Sequence, residues 1–282
     1  MTAAAVPPFA YFGGKTKLAA RIVAALPSHG HYVEPFAGSL AVLLAKPRAA
    51  METVNDLDGD LMTFWRVLRD RPGDLARVMA LTPHSRAEHA AAYDLGDADD
   101  LERARRVWVL LSQGRCGTMR RTGWRFYQNP DASTFAFPEY LGAYAARVPA
   151  AAHRLAGVSL ESRDALDVIE DYGRHPRVLL YCDPPYLGST RSTNYRHEMT
   201  GAAAHRDLAA ALERARSAVV VSGYPSPLYD ELYAGWHRLE LPAWTGNGIR
   251  NGATKTDGHR TEVLWSNRPF PGEHLRLFEV EA

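Results

Sequence analysis

The run Val178-Leu179-Leu180-Tyr181-Cys182 carries no charge and stops abruptly at Asp183-Pro184-Pro185-Tyr186. An unbroken run of this kind, rather than an alternating one, marks a strand covered on both faces, as in the parallel sheets of α/β proteins. Two successive prolines then hold the backbone extended and deny it a helix. The tetrapeptide is therefore a stiff lip at the carboxyl edge of a buried strand, where open α/β sheets bind their ligands.

The N-terminal part agrees with such a sheet. Lys17 to Leu26 reads as a short helix, closed by Pro27 and Gly30, and His31-Tyr32-Val33 as a short strand. The turn Glu34-Pro35-Phe36-Ala37-Gly38-Ser39 follows, then a helix over Leu40–Ala45 and a second strand over Met51–Asn55, ending at Asp56. Strand, turn, helix and strand with an acid at the second strand's end is the order of nucleotide-binding open sheets. From Leu57 to about Arg154 helical spacing takes over, and Ser112–Phe137 is irregular and rich in Gly, Arg and aromatics. Strands return at 157–161, 177–182 and 218–222, separated by helices over 165–172 and 202–216, with a terminal strand over 261–267. The expectation is an α/β catalytic domain formed by residues 1–60 and 156–282. A mainly helical subdomain, residues 61–155, is inserted into it.

Composition narrows the function classes only a little. The net charge of +1 neither demands nor excludes a polyanion, so any nucleic-acid reading rests on local charge. Two cysteines, Cys116 and Cys182, are too few for a disulfide framework and suit a reducing compartment. The first eight residues lack the pattern of a signal peptide. No stretch approaches the roughly 20 apolar residues of a membrane helix. A cytoplasmic protein with no membrane association is expected.

The chemistry lies in the Asp-Pro-Pro-Tyr lip. Asp183 and the Pro184 carbonyl are placed to accept hydrogen bonds from the two protons of an exocyclic amine, and Tyr186 offers a ring to stack on. Such an amine shares its lone pair with its ring and is barely nucleophilic. Holding both N–H groups favours a pyramidal nitrogen, and a nearby carboxylate stabilises the positive charge that develops there. No metal is needed. The bland alternative is a simple turn after a strand.

Three more segments decide against the bland reading. Asp183-Pro184-Pro185-Tyr186 resembles the catalytic motif of amino-methyltransferases, and the chain as a whole resembles the Dam-like family of DNA adenine methyltransferases. Phe9-Ala10-Tyr11-Phe12-Gly13-Gly14-Lys15 is similar to that family's N-terminal Gly-Gly-Lys motif. Val33-Glu34-Pro35-Phe36-Ala37-Gly38-Ser39 is similar to its cofactor loop, and Asn55-Asp56-Leu57 to its second-strand acidic motif. The resemblance implies a Rossmann-like S-adenosylmethionine-dependent methyltransferase sheet that methylates the N6 amine of a flipped adenine at specific sites in double-stranded DNA. It implies that Asp183, Pro184, Pro185 and Tyr186 form the catalytic lip. Tyr11, Gly14, Lys15, Phe36, Gly38, Asp56 and Asp164, with Asp183, would hold the cofactor, Asp56 on the ribose and Asp164 at the adenine. A partner restriction endonuclease is compatible with this class. The family's loop has a second glycine where this chain has Leu40, which places close backbone approach to the cofactor in question.

Gly13-Gly14-Lys15-Thr16 suggests a phosphate-binding loop, but Phe9 stands where that motif requires its first glycine. Asp164 is equally well placed to cap the helix that follows it. Ser222-Gly223-Tyr224 reads as a strand-end turn or a pocket wall, and Glu262 fits the family's terminal strand only loosely. Between Leu101 and Arg125 stand seven arginines and one acid, Glu102. Arg115, Arg120, Arg121 and Arg125 are the candidate DNA contacts, since Arg103, Arg105 and Arg106 fall on an apparent helix; the alternative is a solvated face. The eleven histidines form no zinc signature. Two rivals remain: a cytosine-N4 methyltransferase, whose family more often carries Ser-Pro-Pro-Tyr, and a non-catalytic DNA-binding protein on a methyltransferase scaffold.

Overall fold

Seven strands form one sheet: β1 (His31–Glu34), β2 (Met51–Asn55), β3 (Ser159–Glu161), β4 (Val178–Cys182), β5 (Ala218–Gly223), β6 (His237–Trp244) and β7 (His259–Ser266). Their order is β3-β2-β1-β4-β5-β7-β6. The first five in that order are parallel, whereas β7 runs antiparallel to β5, and β6 antiparallel to β7. The order reverses between β1 and β4, which opens a crevice at their carboxyl ends. The computed structural model describes residues 4–127, 137–186, 199, 201–244 and 259–271. Residues 128–136 of the irregular stretch lie outside these.

Eleven helices accompany the sheet among the described residues: α1 (Ala19–Ala25), α2 (Ala41–Ala45), α3 (Gly59–Asp70), α4 (Pro72–Leu81), α5 (Arg86–Ala91), α6 (Asp100–Gln113), α7 (Phe137–Ala145), α8 (Val148–Leu155), α9 (Ala165–Gly173), α10 (Gly201–Glu213) and α11 (Pro227–Leu232). Alternation along the strands assigns the two faces. Tyr32, Leu179, Tyr181 and Val220 join one apolar core with α1 to α8, while Val33, Leu180, Cys182 and Val221 join a second with α9 to α11. No described helix is long and apolar enough to cross a membrane.

The helical segment between β2 and β3 forms no separate core. Leu61, Trp65, Trp108 and Val148 belong to the same apolar cluster as Tyr32 and Val54 of the sheet. A buried charge cluster ties its last helix down as well. Arg154 of α8 reaches both oxygens of Glu52 on β2 at 2.5 and 2.7 Å, and Lys46 reaches Glu52 at 2.7 Å.

Two elements escape the sequence pattern. The edge strand β6 contains Pro242, which reads as a breaker but is tolerated at an edge, where one side of the ladder needs no donor. The six-residue α11 begins at Pro227 and is capped by Ser226, whose side chain accepts from the Tyr229 amide. It is too short to show a helical period.

Leu40 adopts φ 52°, ψ 28°, the left-handed conformation, and its side chain is fully buried in the core. The loop thus keeps a backbone shape that suits glycine, and does so with leucine because the side chain turns inward, away from the crevice. The strain costs about 1–2 kcal/mol. Substitution here should invert the usual ranking. Leu40→Ala and Leu40→Gly both lose burial worth about 2–5 kcal/mol, but the glycine variant should be more stable than the alanine variant by about 1 kcal/mol. Urea unfolding midpoints test this, and an alanine variant at least as stable as the glycine variant would show that no strain is stored at residue 40.

Candidate active site

The crevice at the β1–β4 reversal holds a cavity of about 340 Å³. Tyr11, Gly14, Lys15, Phe36, Gly38, Asp56, Asp164 and Asp183, scattered over 173 positions of sequence, all line it, together with Pro185. Each is delivered by a chain segment leaving the carboxyl side of a strand, except the first three, which come from the N-terminal loop. That loop is held by the helical segment. Phe9 packs on Phe64 and Trp65 with ring centroids 5.0 and 5.3 Å apart, and Trp108 donates from Nε1 to the Pro8 carbonyl at 3.1 Å.

The loop after β1 is shaped by one buried side chain and one glycine. Asn55, fully buried, donates to the carbonyls of Pro35 and Arg163 at 3.0 Å each, and its own carbonyl accepts from the Arg163 amide at 2.9 Å. The loops after β1, β2 and β3 are thereby fixed to one another. Gly38 has φ 47°, and a Cβ there would sit 3.0 Å from the Tyr11 ring. Only glycine lets that ring lie against the loop. Asp56 accepts from the amides of Gly38 at 2.9 Å and Asp58 at 3.0 Å, which orients its carboxylate over the cavity. Asp164 serves both roles considered for it: its side chain caps α9 by accepting from Leu166 at 2.8 Å, and it lines the cavity.

The other end of the cavity is a cluster of charges. The Lys15 ammonium, 5% exposed, donates to both oxygens of Asp183 at 2.7 and 2.8 Å and to the Tyr186 hydroxyl at 2.5 Å, and lies 3.6 Å from Glu262. Burial alone would lower the Lys15 pKa, but the carboxylates of Asp183 and Glu262 overcome this and raise it. The Tyr186 hydroxyl donates in turn towards Glu262 at 3.3 Å, and Ser222 donates to Asp183 at 3.0 Å. Pro184 and Tyr186 do not line the cavity. Tyr186 turns towards Glu262, with Tyr224 stacked on its ring at 4.4 Å between centroids.

Glu34 and Tyr181 are therefore parts of the site that sequence reasoning did not single out, and Ser222, Tyr224 and Glu262, weighed there only as a strand-end turn or pocket wall and a loose match, belong to the site or its rim. Glu34 is visible in the sequence as the acid ending the first strand. The contacts of Ser222 and Glu262 with Asp183 and Tyr186 depend on β5 lying beside β4 and β7 beside β5.

The arginines separate into two groups. Arg103 pairs with Asp60 at 2.6 Å, and Arg105 and Arg106 pair with Glu102 at 2.6 and 2.7 Å. The Glu102 pairs lie within α6, whereas Arg103 ties α6 to α3 and Arg105, which also reaches Glu88 at 2.8 Å, ties it to α5. The other four lie beyond α6, where Gly114 bridges to Trp124, the Arg115 amide donates to Gly123 and the Arg125 amide donates to Gln113. Arg115 and Arg121 are exposed and Arg120 half-buried, while Arg125 is packed over the Tyr140 ring at 4.8 Å. None of the four lines the cavity. The same segment touches the N-terminal loop, where the Phe12 amide donates to the Gly117 carbonyl at 2.8 Å.

A mostly parallel sheet of this order, with a nucleoside-sized cavity at its reversal point and an Asp-Pro-Pro-Tyr lip on the rim, defines a Rossmann-like methyltransferase. The comparisons with known proteins carry this further. The family model of D12 class N6 adenine-specific DNA methyltransferases matches residues 11–109. The Type II methyltransferase M1.LlaDCHI of Lactococcus lactis subsp. cremoris is 26% identical over 280 residues, covering 90% of this chain and 93% of that protein. These similarities support adenine-N6 DNA methylation as the activity. DNA is its substrate, and methyltransferases of this kind generally use S-adenosylmethionine.

The lining suits such a cofactor. Six carboxylates (Glu34, Asp56, Asp58, Asp164, Asp183 and Asp207) face a single lysine, which favours a ligand of net positive charge such as a sulfonium. Glu34, 3% exposed, shows how strongly charge is resisted without one. Burial, with the Asp183 carboxylate adding to it, pushes its carboxyl up to about 8 against the opposing hydrogen bond from Tyr32. A folded-state pKa above the unfolded one means stability present at low pH and lost as pH rises towards 8. Glu34→Gln stays neutral throughout. Without ligand, the variant should gain at least about 1 kcal/mol on the parent between pH 5.5 and 8, as read by urea unfolding at both pH values. An equal response of the two proteins would mean that Glu34 is charged in the free protein.

Proposed function

We propose that Asp183 and the Pro184 carbonyl grip the two N–H groups of an adenine swung out of double-stranded DNA, and that the methyl group comes from S-adenosylmethionine in the adjoining cavity. The observation that carries this reading is Asp183 itself. It sits on the stiff lip after β4 and lines the same cavity as the seven other candidate cofactor residues.

In this reading Asp56 takes the ribose hydroxyls of the cofactor, Asp164 its adenine amine, and Tyr11 and Phe36 flank the nucleoside. When bound, the cofactor supplies a methyl group on a positively charged sulfur. Asp183 draws the amine pyramidal, so that its lone pair points at that carbon. Asp56, Asp164 and the loop after β1 would hold the cofactor so that its methyl carbon passes to the amine nitrogen, its sulfur keeping the electron pair of the C–S bond. The proton shed by nitrogen passes through Asp183 to solvent. Throughout, the carboxylate offsets the positive charge on nitrogen. Tyr186 and Tyr224 supply stacking surface at the rim. Removing the base from the duplex costs a few kcal/mol, which phosphate contacts from Arg115, Arg120, Arg121 and Arg125 help to offset. The helical segment 61–155 is in this view the DNA-recognition insertion of a catalytic domain formed by residues 1–60 and 156–282. The name of the Lactococcus relative also supports work alongside a restriction endonuclease.

Asp183→Ala should lower methyl transfer to unmodified DNA at least about a hundredfold, the scale of losing one preorganised electrostatic contact, while circular dichroism shows a folded protein. A variant that methylates like the parent overturns the mechanism. Nucleoside analysis of the product should give N6-methyladenine, and N4-methylcytosine would shift the assignment to the cytosine class.

The two groups of arginines should also differ in solution. Arg115→Ala and Arg121→Ala should each reduce the log–log salt slope of DNA binding by about 1. Arg105→Ala should leave that slope unchanged and lower the melting temperature. Equal slopes for all three variants and the parent would remove the segment around Arg115–Arg125 from the DNA interface.

A further inference from the structure

The Lys15 ammonium occupies the acceptor that the target amine requires. It donates to both Asp183 oxygens, at 2.7 and 2.8 Å. While it stays there, it blocks the lone pairs the amine must reach and cancels the negative charge that stabilises the reacting nitrogen. Lys15 cannot simply withdraw into water, since its side chain is almost wholly buried. A buried ammonium stripped of its partner is strongly destabilised.

A second carboxylate waits beside it. Glu262 Oε1 lies 3.6 Å from Lys15 Nζ, just outside hydrogen-bonding range, and the Glu262 side chain is 3% exposed. The Tyr186 hydroxyl bridges the two, accepting from Lys15 and donating towards Glu262. Register fixes the carboxylate in place, because Glu262 of β7 pairs with Leu241 of β6, and its neighbour Val263 with Gly223 of β5. A shift of about 1 Å would turn this 3.6 Å ion pair into a direct hydrogen bond.

We propose that Glu262 is a positioning residue for methyl transfer, the second seat to which Lys15 moves when the target amine claims Asp183. This rests on Asp183 being the amine's acceptor. Glu262 must be ionised to draw Lys15 across. The groups facing it are Lys15 from the N-terminal loop, Asp183 and Tyr186 from the segment after β4, and Tyr229 from α11. Burial and Asp183 push its carboxyl up, Lys15 and Tyr186 pull it down, and it settles at about 7. Activity should accordingly rise with pH through the neutral range.

The test is single-turnover transfer of a labelled methyl group from saturating S-adenosylmethionine to unmodified plasmid DNA, from pH 5.5 to 8.5, with cofactor affinity measured by calorimetry. Glu262→Gln should slow transfer at least tenfold, keep the cofactor Kd within twofold of the parent, and lose the rise through pH 7. Glu262→Asp should keep that rise and recover at least a third of the parental rate. A Gln variant within twofold of the parent, or one that keeps the rise, overturns the proposal, as does a loss confined to cofactor affinity. If the Gln variant does not fold, the Asp variant decides: a lost rate with an unchanged pH profile overturns the proposal. Asp183→Ala, run alongside, separates the two levels. Normal transfer by that variant defeats the underlying mechanism, whereas its inactivity beside an unaffected Glu262→Gln defeats only the role of Glu262.

Discussion

A buried lysine is tolerated only where carboxylates surround it, and the Lys15–Asp183 pair is the contact on which this architecture turns. It joins the N-terminal loop to the end of β4 across 168 positions of sequence. Desolvating both charges is expensive, so the pair persists only with added donors and acceptors around it. Ser222 donates to Asp183, Gly13 offers a carbonyl to Lys15, and the Tyr186 hydroxyl and Glu262 complete the shell. These contacts come from the first loop, β5, β7 and the segment after β4. The antiparallel end of the sheet thus contributes directly to the site.

The rest of the cavity follows a different logic, that of backbone shape. Asn55 locks three loops together, and Gly38 yields its Cβ space to Tyr11. Leu40 accepts a left-handed backbone because its side chain gains a place in the core. The departure from the family's glycine pattern is therefore absorbed by packing on the far side of the loop, leaving the cavity side as the motif requires.

What was legible in the sequence was what is local. A strand followed by an acid or by two prolines announces its end within a few residues, so the strands before Asp56 and Asp183 and the place of both acids at the cavity could be read directly. Lys15 was legible through its motif, although its contact with Asp183 was not, because that distance is set by folding. Ser222 and Glu262 face the site only because β5 lies beside β4 and β7 pairs in register with β5, and no local pattern encodes that neighbourhood. Charge counting met a similar limit: the helical spacing set Arg103, Arg105 and Arg106 apart from Arg115 and Arg121, but the partners Asp60 and Glu88 of the first two are supplied only by folding.

The helical segment is bound to the catalytic sheet in three ways, and together they constrain how the protein can work. It shares the apolar core of one face, Arg154 clamps it to Glu52 of β2, and the turn at Gly117 hydrogen-bonds Phe12. Gly117 has φ 60°, and a Cβ there would lie 2.8 Å from the Ala10 carbonyl, so the two chains touch backbone to backbone. Phe12 stands three residues before Lys15. Any displacement of the arginine-bearing segment by a bound duplex is therefore applied to the loop that carries the lysine on Asp183. A core packed to this density transmits a shift rather than absorbing it. In the proposed reading, the arginine-bearing surface offered to DNA and the lysine that leaves Asp183 are parts of one continuous piece of structure.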